Sequence, residues 1–477
     1  MQLAIPLSAS HGPLFRQVYL RLRDGILSGT LRGGEKLPST RDLAEQLSIS
    51  RTVVVAAYDQ LLAEGFATGR AGSGTYVSNG VSERLPPRAE NPAQPHLSRL
   101  GTAAAAAWPL VNLAPQRTRA LAYDFAYGRS DLRTFPFEAW RRILLRCARR
   151  APVAELDYGP AAGNEALREA ICAHLGRSRA VVSGPSQVVV VNGSQQALDL
   201  IVRVLIERGD RVVIEDPSYE GTREILRAAG AHLLPVTVDG DGLNPARLPS
   251  AARIAFVTPS HQFPTGAILP LARRRDLLEW ARRENAVIVE DDYDGEFRYE
   301  GQPLESLQGL DREGRVIYTG TFSRTVFSAL RIGYLIAPQA LVPALAAAKW
   351  LCDRHTATLE QRALAEFISS GLYERNLRRV RRANAGRRKA LLEAIHTRLA
   401  DRVEVSGAGA GAHVVIWLRH PMSEKSVIAA AASRGVRVYG ISEYFLKQPS
   451  RTGILLGYSR LSEAEIGEGI RRLGEVV

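Results

Sequence analysis

The chain has 477 residues, 45% hydrophobic and 23% charged, long enough for roughly two to four domains and ordinary in composition for a folded globular protein. No run approaches the length of a membrane-spanning apolar segment, and the N-terminus MQLAIPLSASHGPLF lacks the basic start and long apolar core of a secretory signal, so a cytoplasmic chain with no membrane partner is expected. The net charge of +13 suits a nucleic-acid partner without demanding one, because arginine runs such as Arg141–Arg150 and Glu374–Lys389 also read as solvated helix faces.

From Pro13 the pattern is helical, with Leu14, Val18, Leu22 and Ile26 on one stripe and Gly29 as the stop. A turn-rich connector, LRGGEKLPS, leads to a second helix capped by Ser39 or Thr40, with Leu43, Ala44 and Leu47 inward. A third helix begins after Ser50 and carries Val53, Ala57, Leu61 and Leu62 as its apolar face, ending at Gly65. FATGRAGSGTYVS then reads as a small hairpin with a glycine-rich tip. Two helices joined by a short turn and followed by a hairpin spell a winged helix-turn-helix. Arg51 and Thr52 fall in the first turn of the third helix, where a major-groove helix meets base edges and phosphates. Arg41 suits a backbone phosphate, and the Gly72-Ser73-Gly74-Thr75 tip lets the main chain approach the sugar-phosphate closely. The words LPSTRDLAEQLSISRTVVVAAYDQLLAEGF and GSGTYV resemble the GntR-type DNA-binding domain over residues 12–78. Only eight basic residues face six acidic ones in that stretch, so one copy should bind duplex DNA weakly and with strong salt dependence, which favours a dimer.

Residues 79–121 read as an inter-domain linker, proline-rich and extended in its first part. From Ala122 to the C-terminus (122–477) the strand-like runs QVVVVN, DRVVIED, RIAFVT, AVIVEDD and RVIYTG alternate with helical patterns, implying a mainly parallel sheet covered by helices on both faces. AHVVIWL, GVRVYGIS and GILLGYS suggest a smaller C-terminal lobe. Cys147, Cys172 and Cys352 are far apart and read as buried small apolar residues, with neither a zinc site nor a disulfide framework.

Within this unit, VIYTGTFSRTVFSALRIGYLIAP resembles the cofactor-lysine segment of fold type I pyridoxal-phosphate proteins: strand, tight polar turn, later arginine, second strand. The resemblance implies an α/β fold of aminotransferase type in which a lysine of that turn would join the cofactor covalently. Here that position holds Arg324, whose guanidinium stays protonated and offers no nucleophilic amine. Only five of the 62 basic residues are lysines, and none lies in such a motif, so covalent attachment is not expected.

Other motifs resemble cofactor contacts of the same fold. In VNGSQQ a strand runs into a helix, where backbone amides and Ser194, with Gln195 beside it, suit a phosphate. Tyr219 in DPSY would stack on a pyridine ring, Asp291 would pair with the ring nitrogen, and Tyr293 would reach the phenolic oxygen. Thr321, Ser323 and Arg331 complete the phosphate cup, with Arg324 adding charge beside it. Tyr158 in DYGPAAG corresponds to a tyrosine that serves the neighbouring subunit's phosphate, and His261 in TPSHQFPTG is a further candidate contact. Arg434, Arg437 and Arg451 are alternatives for an effector carboxylate.

A GntR-type domain followed by an aminotransferase-like domain resembles the MocR family of transcription regulators. That resemblance implies a head-to-tail homodimer that binds an operator and senses a small molecule: pyridoxal phosphate, its amine form, or an amino-acid adduct, held non-covalently if at all. No catalytic residue is expected, although two other readings stand beside it. They are an active aminotransferase with an accessory DNA-binding domain, and a regulator whose pocket has diverged to another effector.

Overall fold

The structure is a computed structural model that describes residues 12–81, 96–107, 121–299 and 304–477. The chain divides into two compact units between His96 and Leu97.

In the first unit, α1 (Leu14–Leu27), α2 (Thr40–Gln46) and α3 (Arg51–Ala63) precede a hairpin of β1 (Ala67–Arg70) and β2 (Gly74–Val77). Ser39 caps α2 by accepting a hydrogen bond from the backbone N–H of Asp42. The core gathers Val18, Leu22, Ile26, Leu31, Leu37, Leu43, Val54, Ala57, Tyr58 and Leu61. On α3 the buried face is therefore Val54-Ala57-Tyr58-Leu61, spaced i, i+3, i+4, i+7, rather than the expected face through Val53 and Leu62. Leu62 and Leu14 are exposed, and Leu47 is only partly buried. In the hairpin Arg70 pairs with Gly74, so Gly74 and Thr75 belong to β2 and the loop itself is Ala71-Gly72-Ser73.

The second unit opens with a helix, Arg99–Ala106, inside the stretch expected to be linker; its small alanines pack on the helix Glu220–Ala229. The remaining linker positions lie outside the described residues, except for the short pieces that flank them. The large sheet is built from β3 (Val188–Val191), β4 (Arg211–Asp216), β5 (His232–Asp239), β6 (Gly242–Leu243), β7 (Ile254–Val257), β8 (Val287–Asp292), β9 (Val316–Thr321) and β10 (Gly333–Ile336). Its order is β3-β10-β9-β8-β7-β4-β5-β6. The central pairs β9/β8, β8/β7, β7/β4 and β4/β5 are parallel, whereas β10 runs antiparallel to both β9 and β3. The continuous apolar runs in β3, β7 and β10 are fully buried, as helices on both faces require. Strand β5, HLLPVTVD, is an addition to the expected set: only its Val236 is buried, and Pro235 interrupts the run.

A smaller sheet of β11 (Val403–Ser406), β12 (His413–Leu418), β13 (Tyr439–Gly440) and β14 (Gly453–Gly457) forms the C-terminal lobe in the order β11-β12-β14-β13. This lobe is tied to the start of the unit by a two-residue parallel pairing of Tyr123–Asp124 with Val436–Arg437. Of the cysteines, Cys147 is buried and Cys172 partly so, but Cys352 is exposed, unlike the buried residue expected.

Candidate functional site

In an open α/β sheet, ligands bind beyond the carboxyl ends of the strands. Here β3, β4, β7, β8 and β9 all end around one cavity of about 460 Å³. Ser194, Gln195, Tyr219, Asp291, Tyr293, Thr321, Ser323, Arg324 and Arg331 line it, so nine of the sequence candidates converge on one place.

One end of the cavity is a cradle for an anion. The helix Ser194–Leu205 points its N-terminus there with no side-chain cap, so its partial positive charge and first amides are open to a ligand. Gly193 before it has φ +88, and a Cβ there would sit 2.7 Å from Nη2 of Arg331. That nitrogen donates to the carbonyl oxygen of Asn192 at 2.9 Å, which brings the guanidinium against the loop. The Thr321 hydroxyl donates to Ser323 Oγ at 2.9 Å and accepts from the Ser323 backbone N–H at 3.1 Å, closing the turn after β9. Behind the loop, Asp353 accepts from Asn192 Nδ2 and Gln196 Nε2, both at 2.7 Å, and pairs with Lys349.

The rest of the cavity suits a flat polar ring. Phe263 packs edge-on against Tyr219 and Tyr293, with ring centroids 6.0 and 5.8 Å apart. The Tyr219 hydroxyl donates to Gln195 Oε1 at 3.1 Å, and burial pushes the Tyr219 phenol up to about 12. Asp291 accepts from the Thr319 hydroxyl at 3.1 Å. Burial pushes its carboxyl up to about 7, against the opposing pull of Thr319 and of the Arg324 guanidinium. Such a carboxylate gains from a cationic N–H partner, which would restore its ordinary ionisation.

Arg324 projects over Gly128, whose φ is +84; a Cβ there would come within 2.4 Å of Arg324 Nη1. Ser130 holds the backbone of this turn by donating to the carbonyl oxygens of Ser323 and Arg324 at 2.9 and 3.0 Å. Nη1 of Arg324 is buried without a hydrogen-bond partner among the described residues. Among the described residues no lysine lines the cavity.

Two candidates fall elsewhere. His261 does not line the cavity, contrary to its expected ligand contact: it is 2% exposed and stands behind Tyr293. Its Nδ1 lies 3.0 Å from both the Tyr293 hydroxyl and Asp294 Oδ2. Tyr158 lies outside the cavity of its own chain, 81% exposed beside His355 and Arg354. The structure also separates the carboxylate candidates. Arg437 lines the cavity, whereas Arg434 pairs with Glu475 and Arg451 with Glu404. Sequence reading missed Tyr127, Arg129, Glu220 and Tyr439 as cavity residues. The motif FAYGRSD at the start of the unit, aromatic-Gly-Arg, was the available signal for Tyr127 and Arg129.

In the first unit Arg41, Arg51 and Thr52 are exposed together at the starts of α2 and α3, where Arg51 Nε donates to Thr40 Oγ1 at 3.2 Å. At the hairpin, Gly72 and Ser73 are exposed, and Tyr76 carries Arg70 and Lys36 over its ring at 4.5 and 5.9 Å. Those two cations flank the wing and were not among the sequence candidates.

Residues 14–77 match the gntR family of bacterial regulatory proteins, and residues 125–473 match the class I and II aminotransferases. The chain is 38% identical to a probable rhizopine catabolism regulatory protein, MocR, of Rhizobium meliloti, over 97% of this chain and 93% of that one. It is 32% identical to the pyridoxine biosynthesis transcriptional regulator PdxR of Corynebacterium glutamicum, over 94% and 92%. Among solved structures, a Pyrococcus horikoshii kynurenine aminotransferase crystallised with PMP and kynurenine superposes with a TM-score of 0.72 at 28% identity, covering 78% of this chain and 93% of that one. A winged helix-turn-helix followed by an aminotransferase-type domain, similar in sequence to such regulators along nearly its whole length, places the chain in the MocR-type GntR family of DNA-binding transcription regulators.

Proposed function

We propose that the second unit is the sensor of this regulator and that its effector is a pyridoxal-phosphate-type compound held without a covalent bond. The observation that carries the reading is the convergence in one cavity of an anion cradle, an enclosed carboxylate and an arginine in the turn after β9. Ser194, Thr321, Ser323, Arg331 and the uncapped helix N-terminus would take the phosphate. Asp291 would meet the ring nitrogen, Tyr219 the ring face, and Tyr293, oriented by His261, the phenolic oxygen. The PLP-type group, when bound in such folds, supplies a reactive aldehyde and an electron-withdrawing ring. Arg324 cannot engage that aldehyde as a nucleophile, so the domain would read occupancy rather than turn over substrate. The regulator PdxR is named for pyridoxine biosynthesis, which favours the same chemical class over an unrelated effector.

The partner side of the proposal is a head-to-tail homodimer on a duplex operator. Exposed Tyr158 would serve the other subunit's phosphate, and Arg41, Arg51, Thr52 and the Gly72–Thr75 segment would contact DNA. Among the described residues no helix is long and apolar enough to cross a membrane. The test is calorimetric titration of the full chain with pyridoxal phosphate and with inorganic phosphate, followed by gel shift on the region upstream of its own gene. Saturable binding of the pyridine compound above inorganic phosphate, with a changed DNA affinity, is expected. No preference over inorganic phosphate would remove this class of effector.

A further inference from the structure

Among the described residues, Arg324 is the one cavity arginine that presents a buried, unpartnered nitrogen. Three observations define its surroundings. Gly128 leaves the space for Nη1, Ser130 clamps the turn carbonyls, and the guanidinium's field reaches Asp291, Tyr219, Tyr293 and Tyr127. It therefore sits among the groups that would surround a pyridine ring, away from the pairing that Arg331 makes with Asn192. No carboxylate lining the same cavity forms an ion pair with it among the described residues, although its field acts to lower the Asp291 carboxyl. Asp124 accepts from the Tyr439 hydroxyl at 2.9 Å, Asp291 accepts from Thr319, and burial raises the Glu220 carboxyl above its ordinary value.

A guanidinium in an enclosed site discriminates by charge. It repels a neighbouring ammonium, tolerates a hydroxyl, and meets a carboxylate with two parallel charge-assisted hydrogen bonds. We infer that Arg324 makes this pocket selective for the oxidised form of a pyridine phosphate, one with a carboxylate in place of the aldehyde at the ring 4-position, and against the aminomethyl form. The inference rests on the pyridine-phosphate reading of the cavity and names which member of that class fits it. The ligand would present two anions, its phosphate to the helix N-terminus and Arg331, its carboxylate to Arg324. Of the forms considered from sequence, the amine is then the one the pocket should reject.

The experiment is isothermal titration of the full chain with four compounds: inorganic phosphate, pyridoxamine phosphate, pyridoxal phosphate and the 4-carboxylate analogue of pyridoxal phosphate. The carboxylate form is expected to bind at least about tenfold tighter than the amine form. Arg324→Met should erase that ratio while both compounds still exceed inorganic phosphate. Arg324→Gln, which keeps a polar side chain, is the second variant should the first fail to fold, and it should give the same loss. Amine binding equal to or tighter than carboxylate binding, with both above inorganic phosphate, overturns the inference and leaves the pyridine-phosphate reading standing. A carboxylate preference that survives both variants also overturns it, by assigning the selectivity to Arg129 or Arg437. If none of the pyridine compounds exceeds inorganic phosphate, inference and reading fall together.

Discussion

Arg331 and Asn192 meet across the mouth of the anion cradle, Nη2 donating to the carbonyl oxygen at 2.9 Å, and Gly193 is the residue that leaves room for them. Its φ of +88 and ψ of 168 lie in a region that residues with a Cβ avoid. Gly193→Ala is therefore expected to cost about 1–3 kcal/mol of stability and to push Arg331 off the loop. Denaturant unfolding should register the first effect, and a weaker phosphate-bearing ligand the second. A variant with wild-type stability and affinity would show that the loop relaxes freely.

Asp291 gives the pocket a pH signature. Burial raises its carboxyl to about 7 in the folded chain, above the ordinary value near 4 in the unfolded one. The folded state thus binds the extra proton, so this contribution to stability is complete below about pH 4 and is lost as pH rises towards 7. Glu215, Glu290 and Glu296 are also raised to about 7 by burial and add the same slope, so only a difference from wild type isolates Asp291. Asp291→Asn should be about 1–3 kcal/mol more stable than wild type at pH 8 and nearly equal at pH 4. The same variant should lose affinity for ligands with a basic ring nitrogen. Urea titrations at the two pH values and one calorimetric titration check both parts.

The fold was legible because its buried strands open on short apolar runs such as VVVV, VIV and VIY and end in polar residues, and those ends lead into the cavity residues Ser194, Asp291 and Thr321. Strand β5 escaped because a half-buried strand with a proline gives neither a continuous nor an alternating pattern. The face of α3 was misphased because three consecutive valines, Val53 to Val55, allow several registers, and the buried side includes Tyr58, whose hydroxyl reaches the Pro38 carbonyl oxygen. Arg437 could not be chosen among three arginines from sequence. Its place depends on the parallel pairing of Arg437 with Asp124, a contact between opposite ends of the unit that no local pattern records. The surroundings of His261 are hidden for the same reason: its neighbours Tyr293 and Asp294 arrive from another strand end.

On the DNA side, Arg51 and the wing cations should behave differently. Arg51, at the first turn of α3, is expected to read a base, and Arg51→Ala should cost about 1–3 kcal/mol with relaxed sequence preference. Lys36 and Arg70, which lie over the ring of Tyr76 beside the wing, are expected to meet phosphates. Replacing either with Ala should weaken binding evenly across sequences and lower the salt slope by about one. Gel shifts on operator and scrambled duplexes at several salt concentrations separate the two patterns.

Tyr158 is 81% exposed in the single chain, with Arg354 over its ring and His355 edge-on to it. If it serves the partner's phosphate, Tyr158→Phe should lower ligand affinity about three- to tenfold, the loss of one hydrogen bond, without changing sedimentation. Unaltered affinity in a dimeric variant would withdraw the residue from the pocket.

Arg324→Lys tests the covalent side of the proposal most directly. A lysine in this turn would stand over Gly128 and among Tyr219, Asp291 and Tyr293, in a cavity whose phosphate cradle is otherwise complete. Its amine, unlike the guanidinium, can lose a proton when desolvated and attack an aldehyde. Incubation of the variant with pyridoxal phosphate, borohydride reduction and intact mass should then show one cofactor per chain, mapped to the substituted position. The wild-type chain, treated alike, should show none there, because its five lysines lie outside the cavity. A stoichiometric adduct on another lysine of the wild type would mean that the pocket recruits a nucleophile from elsewhere in the dimer. A variant that stays unmodified while still binding inorganic phosphate would mean that the ring end of the cavity no longer accepts this cofactor class, and the reading of a diverged effector would take its place.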